Sequence, residues 1–215
     1  MKIVFCGYRD WARKIASALR SDGHELLLIE KKEDLTLERV NEFKPDLFFL
    51  VGWSWIVSKE LFEKYLILCL HPSLLPKYRG GSPIQNQIIN GEKNTGVSLF
   101  KVTAGLDEGD LYGQEKVSFE GHLSEVLDRI SESGLRLYRK IIADYPNLKS
   151  FKQDSAKATV FKRRKPEESE LTLGKVIGMS AEQVFDFVRA LEDPYPNAFI
   201  KINGRRIVLK RVELE

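Results

Sequence analysis

The sequence predicts an α/β fold: a Rossmann-like, mostly parallel sheet with flanking helices, followed by a small C-terminal α+β subdomain. Three observations point there. Short apolar, β-rich runs alternate with stretches of helical spacing over residues 1–150, the order that βαβ units produce. One of these runs, Leu47–Val51, is apolar throughout, as a strand covered on both faces must be. After a polar stretch the pattern changes at Thr159 to a helix and a hairpin, which sets the expected division into residues 1–150 and 151–215.

The elements follow in order. Lys2–Gly7 is a short strand, and Trp11, Ile15, Ala16 and Leu19 recur at helical spacing before Gly23 closes the helix. Glu25–Glu30 is a second strand, Leu37–Phe43 a helix broken by Pro45, and Leu47–Val51 a third strand. Tyr65–Leu70 ends at His71, and the chain then enters a loop punctuated by Pro72, Pro76, Gly80 and Gly81. Ser82-Pro83 opens a helix as cap and first residue, and Gly91 stops it. Val97–Val102 and Leu111–Phe119 read as strands, and Leu123–Ile142 as a long amphipathic helix ended by Pro146. Lys149–Lys157 reads as a linker. Beyond it lie a helix around Ala181–Ala190 and two runs joined by Asn203-Gly204, the dipeptide of a type I′ hairpin turn.

With 215 residues, 43% of them hydrophobic and 30% charged, the chain can bury a sizeable core as one medium domain, alone or with a small appendage. No apolar run approaches the roughly 20 residues of a membrane span, and MKIVFCGYRD lacks the basic-then-apolar layout of a signal peptide. No membrane partner is expected, and the expected compartment is cytoplasmic. Cys6 and Cys69 fall inside predicted buried strands and read as reduced core thiols. A net charge of +3 is too small to announce a nucleic-acid protein. The positive excess lies after Phe151, densest at Lys162-Arg163-Arg164-Lys165, which reads either as a solvated face or as a contact for a phosphate or diphosphate.

The chemistry concentrates between Leu68 and Asp110. His71 stands at a strand end, where open α/β sheets place their ligands, and imidazole is the side chain suited to proton transfer near neutrality. A Gly-broken acidic loop, Ala104-Gly105-Leu106-Asp107-Glu108-Gly109-Asp110, can offer it a carboxylate, although Asp beside Gly is equally a turn residue. Gly52-Trp53-Ser54-Trp55 puts two indoles at another strand end, either as core or as a pocket wall. The first turn, Gly7-Tyr8-Arg9-Asp10, is not G-x-G-x-x-G, which argues against a nicotinamide dinucleotide. Three scattered histidines and two isolated cysteines give no metal-ligand spacing, so no metal is expected; His24 reads as surface and His122 as a helix-start residue.

The stretch HPSLLPKYRG, with the Asp of LDEGD downstream, resembles the folate-dependent formyltransferases, among them methionyl-tRNA formyltransferase, glycinamide ribonucleotide transformylase and the sugar N-formyltransferases. The resemblance implies N10-formyltetrahydrofolate as formyl donor, His71 as catalytic residue and Asp107 as its partner. Its Asn position falls on Cys69, a departure that puts a weak donor at the developing oxyanion. Gly81 stands where the family often has Arg. The resemblance further implies that Trp53, Ser54, Trp55, Thr103, Ala104, Gly105 and Leu106 line the donor pocket, and that Lys77, Tyr78 and Arg79 meet the acceptor. Gly81-Ser82-Pro83-Ile84-Gln85 and Gly52-Trp53-Ser54-Trp55 are most similar to the sugar enzymes, and the short stretch after the linker argues against tRNA. The implied acceptor is therefore a nucleotide-linked amino sugar, as in surface polysaccharide biosynthesis. Phe161–Lys165 and Tyr195–Asn197 are expected near its entrance, and a homodimer is compatible with the sequence. The alternatives are a methionyl-tRNA-type or other amine formyltransferase, and a folate-binding relative impaired by Cys69.

Overall fold

A computed structural model describes residues 1–215. Strand β1 (Lys2–Cys6) leads through helix α1 (Asp10–Ser21) to β2 (Glu25–Ile29), and α2 (Leu37–Phe43) leads to β3 (Leu47–Val51). Helix α3 (Lys59–Lys64) precedes β4 (Ile67–His71). The chain then forms the two-residue β5 (Arg79–Gly80), α4 (Pro83–Ile89), β6 (Asn94–Lys101), β7 (Leu111–Ser118) and the 22-residue α5 (Leu123–Asp144). Beyond it lie β8 (Val160–Phe161), α6 (Leu173–Ile177), α7 (Ala181–Arg189) and the hairpin β9 (Ala198–Ile202) and β10 (Arg205–Leu209). Asn203 and Gly204 both have positive φ, as the type I′ turn requires. No helix is long and apolar enough to cross a membrane.

The main sheet has the order β2-β1-β3-β4-β6-β7. Its first four strands are parallel, but β6 runs antiparallel to β4 and β7 antiparallel to β6. The sheet is thus mostly parallel, as expected, with an antiparallel edge formed by β6 and β7. A parallel return would need a crossover along the length of the sheet, and α4, at seven residues, is only about 10 Å long.

Alternation along the strands builds a core on each face. Ile3, Phe5, Phe49, Val51, Leu68 and Leu70 face α1 and α5, and Val4, Cys6, Phe48, Leu50 and Ile67 face α2 and α3. Leu171, Phe187, Val188, Leu191 and Ala198 join the first of these cores, so the C-terminal subdomain packs onto the sheet domain and has no core of its own. The period-2 rule also puts His71 and Cys69 on one face at the carboxyl end of β4.

The loop after His71 is held by polar side chains from β6, β7 and α4. Ser98 Oγ donates to the Ser73 carbonyl (2.6 Å) and accepts from the Leu75 N–H (3.0 Å) and Gln114 Nε2 (2.8 Å). Gln87 Nε2 donates to the Pro72 carbonyl (2.7 Å), and the Thr95 hydroxyl donates to Gln87 Oε1. The loop ends in the β5–β8 pairing, where Gly80 and Gly81 permit the close approach: a Cβ would lie 2.4 Å from the Phe161 carbonyl at Gly80 and 2.3 Å from the Arg163 nitrogen at Gly81. The segment expected as a linker is also tied down. Phe151 exchanges backbone hydrogen bonds with Leu111, and Gln153 takes two hydrogen bonds from Arg79 and donates to the Asp107 and Gly109 carbonyls.

Ser98→Ala leaves a buried N–H and a buried carbonyl without partners and is expected to cost about 1–3 kcal/mol, or roughly 2–4 °C of Tm for each kcal/mol. Urea titration monitored by circular dichroism measures it; a stability equal to that of the parent chain contradicts the bracing role.

Candidate active site

His71 is delivered by the last residue of β4 and is 6% exposed. Its Nε2–H donates to the Tyr78 carbonyl at 2.7 Å, and its Nδ1 lies 3.4 Å from Asp107 Oδ2. The carbonyl only accepts, so the neutral ring carries its proton on Nε2 and presents a bare Nδ1 toward the carboxylate. Tyr78 (φ 59°) and Asp107 (φ 51°) both sit in the left-handed region that places these groups. Asp107 Oδ2 is held by the Gly80 N–H at 2.8 Å.

Two cavities meet at Asp107, and His71 borders one of them. The first, of about 390 Å³, is polar and is bordered by His71, Cys69, Asp107, Arg9, Gln85 and Arg164, with Tyr195 on its rim. The second, of about 600 Å³, is mostly apolar, with Trp55, Phe62, Phe100, Leu106, Val160 and Phe161 among its walls. Cys69, Asp107, Trp53, Ser54, Gly80, Gly81 and Arg163 border both. Burial pushes the Cys69 thiol well up, and the nearby Asp107 charge adds to this; its Sγ faces only the Leu70 carbonyl, at 3.9 Å. Cys6 is raised as well, by burial first and then by Cys69. Burial also raises the Tyr195 phenol, against the opposing pull of Arg9 and Gln85.

All seven residues expected at a donor pocket, Trp53, Ser54, Trp55, Thr103, Ala104, Gly105 and Leu106, line the apolar cavity. The indoles of Trp53 and Trp55 meet edge to face at 4.8 Å, and the Tyr8 hydroxyl shares a 2.7 Å hydrogen bond with Ser54. Asp107 and Cys69 stand at the junction, and His71 beside them lines the polar cavity. Lys77, Tyr78 and Arg79 border neither cavity: Lys77 is exposed, the Tyr78 ring stacks on Phe161 at 4.8 Å, and Arg79 is buried against Gln153. Tyr78 serves the site through its backbone. Arg163, Arg164 and Tyr195, expected near an acceptor entrance, border the polar cavity, whereas Lys162 borders the apolar one. Sequence reasoning missed Arg9, Trp11 and Gln85; the only signal was the Arg in a first turn that lacks the dinucleotide glycines. His122 lies outside the site, buried with Nδ1 2.6 Å from Glu192.

A family model for formyl transferase matches residues 29–142, and a model for the formyl transferase C-terminal domain matches residues 163–215. The chain belongs to the formyl transferase family. It is 36% identical over 183 residues to a methionyl-tRNA formyltransferase from Campylobacter curvus, a match covering 85% of this chain and 59% of that protein. The chain thus spans less than two thirds of that relative. Among solved structures, a methionyl-tRNA formyltransferase from Clostridium thermocellum superposes with a TM-score of 0.92 at 32% identity, covering 100% of this chain and 94% of that one. A sugar N-formyltransferase from Shewanella sp. shares the fold, with a TM-score of 0.74 at 19% identity over 100% of this chain and 98% of that one.

Because both thiols are raised by burial, neither forms much thiolate near neutrality. Iodoacetamide at pH 8 is expected to leave Cys6 and Cys69 unmodified in the folded chain and to alkylate both in urea, read by intact mass. One equivalent taken up rapidly by the folded chain contradicts this environment for Cys69.

Proposed function

We propose that the chain transfers a formyl group from N10-formyltetrahydrofolate to a primary amine. The observation that carries this reading is the meeting of an apolar cavity and a polar one at Asp107 and Cys69, with His71 on the polar side. A volume of about 600 Å³ lies within the usual range of small-molecule sites, and walls of Trp55, Leu106 and Phe100 suit a flat heteroaromatic ring. When bound there, the folate supplies the activated formyl group.

The chain's own residues supply the proton chemistry. An amine that attacks the formyl carbon becomes acidic as its new C–N bond forms, the bare Nδ1 of His71 accepts that proton, and the proton is then available to the donor's nitrogen, which leaves as its own bond to the formyl carbon breaks. The resulting imidazolium then meets Asp107 Oδ2 as a charged partner 3.4 Å away. This attraction arises only after the proton has moved, so it favours the transition state over the ground state. The Tyr78 carbonyl holds the ring in place throughout. The Cys69 thiol is a weak donor where the family resemblance places an amide.

For the acceptor, a methionyl-tRNA-type aminoacyl amine is supported by identities of 36% and 32% to methionyl-tRNA formyltransferases, against 19% to the sugar enzyme. This departs from the amino-sugar preference read from the loop motifs. A nucleotide-linked amino sugar stays as the second reading because the polar cavity, at about 390 Å³ with Arg9, Arg163 and Arg164 on its walls, suits a small phosphorylated molecule. Purified chain with N10-formyltetrahydrofolate is offered methionyl-tRNA and a panel of nucleoside-diphosphate amino sugars. Formyl product from either class supports the reaction and selects the acceptor, and product from neither contradicts it.

His71→Asn is expected to fold normally and to lose about 10²–10⁴-fold in kcat, with the donor KM within a few-fold of the parent. Asp107→Asn is expected to lose roughly 10²-fold, because its amide can donate to Nδ1 and compete with the proton that the ring must accept. Steady-state kinetics beside circular dichroism checks both. A folded His71→Asn chain with parental kcat contradicts the assignment.

A further inference from the structure

Arg79 touches neither cavity, yet it is a cation only 6% exposed. Its Nε and Nη2 both donate to Gln153 Oε1, at 3.1 and 2.8 Å, and its Nη1 lies 3.9 Å from Glu108 Oε2. Gln153 Nε2 in turn donates to the carbonyls of Asp107 (2.9 Å) and Gly109 (2.8 Å). A primary amide has two N–H donors and two lone pairs on its oxygen, and here all four are used. The amide can stand only one way round: turned over, it would set N–H against guanidinium N–H and oxygen against two carbonyl oxygens. Asp107, whose carbonyl it grips, has φ 51°, a region that side-chain-bearing residues hold only with support from their surroundings. The same stretch of chain steadies the other half of the dyad. Thr159 Oγ1 accepts from the Tyr78 N–H at 2.8 Å and the Thr159 carbonyl from the Arg79 N–H at 2.9 Å, beside the Tyr78 carbonyl that holds His71.

We infer that Gln153 is a positioning residue for the reaction: oriented by Arg79, its amide fixes the Asp107 loop so that the carboxylate stands 3.4 Å from His71 Nδ1. The side chain of Asp is short, so its carboxylate goes where its backbone goes. The Gly80 N–H holds Oδ2 from one side, but nothing in that bond fixes the backbone behind it. Gln153 supplies this second point, and the fork of Arg79, which a single-pronged cation could not reproduce, keeps the amide from turning. A buried guanidinium could be satisfied by any acceptor; what marks a positioning role is that the donors of that acceptor converge on the carbonyl of the residue facing His71. The inference rests on the reading of His71 and Asp107 as the pair that handles the proton.

The test compares Gln153→Met and Gln153→Glu in the full chain. Met removes both donors and leaves Arg79 without its acceptor, whereas Glu removes the donors but keeps oxygens for Arg79. Both are expected to lose roughly 10–10²-fold in kcat with the KM values within a few-fold of the parent, although Gln153→Glu melts above Gln153→Met. In an Asp107→Asn background either change is expected to cost no more than about 3-fold further, because the charge it positions has gone. The Gly80 N–H, bonded to Asp107 Oδ2, is expected to exchange with deuterium roughly 10-fold or more faster in both variants, while the Gly81 N–H, bonded to the Phe161 carbonyl, keeps parental protection. Where Gln153→Met does not fold, Gln153→Glu carries the test alone. Parental kcat in folded Gln153→Glu, an equal loss in the Asp107→Asn background, or parental exchange at Gly80 each overturns the positioning role. Faster Gly80 exchange in a chain that formylates no acceptor supports the placement of Asp107 by Gln153 and removes the activity reading, so the two fail separately.

Discussion

The hydrogen bond from His71 Nε2–H to the Tyr78 carbonyl is the contact on which the site depends. A backbone carbonyl accepts and never donates, so this bond selects one tautomer of the neutral ring and turns the bare nitrogen toward Asp107. It also makes the chemistry depend on backbone placement. The loop from Pro72 to Gly81 must hold that carbonyl still, which explains why the buried Ser98, Gln87 and Thr95, joined by Gln114 from the surface side, form a polar network where an apolar core would be simpler to build. Such a network is worth its desolvation cost only when it is satisfied, and these four side chains satisfy one another and the loop.

The same loop divides the space beyond the sheet. Gly80 and Gly81 let β5 pair with β8, and that pairing brings Arg163 and Arg164 from the C-terminal subdomain to the wall of the polar cavity. The subdomain therefore does more than add buried area: it completes the compartment with cationic groups, while the loops after β3 and β6 make the second compartment apolar. Cys69 sits on the wall that both share. Its thiol, kept protonated by burial and by the neighbouring carboxylate, adds neither charge nor a strong donor there.

The sequence made much of this legible. Period-2 alternation and apolar runs located the strands of the parallel half; position alone left Asp107 equally a turn residue, and it was the resemblance of HPSLLPKYRG and LDEGD to the formyltransferases that paired it with His71. Asn203-Gly204 placed the hairpin. The antiparallel turn of β6 and β7 was hidden because hydrophobic pattern reports burial and not strand direction. Lys77, Tyr78 and Arg79 drew attention as side chains, yet the site uses a carbonyl of that triplet, and a carbonyl has no residue-type signature. Gln153 sits in a charged stretch indistinguishable from a linker by composition. Gln85 and Arg9 are far apart in sequence and come together only through the packing of α4 and the first turn against the segment around Tyr195.

The tautomer of His71 tests the central claim most directly. Nitrogen-15 NMR of ring-labelled chain, with His71 assigned by the signals lost in His71→Asn, reads which nitrogen carries the proton in the neutral ring. The account predicts a proton on Nε2, held by the Tyr78 carbonyl, and an unprotonated Nδ1 facing Asp107. A neutral ring protonated at Nδ1, with Nε2 bare, would contradict it.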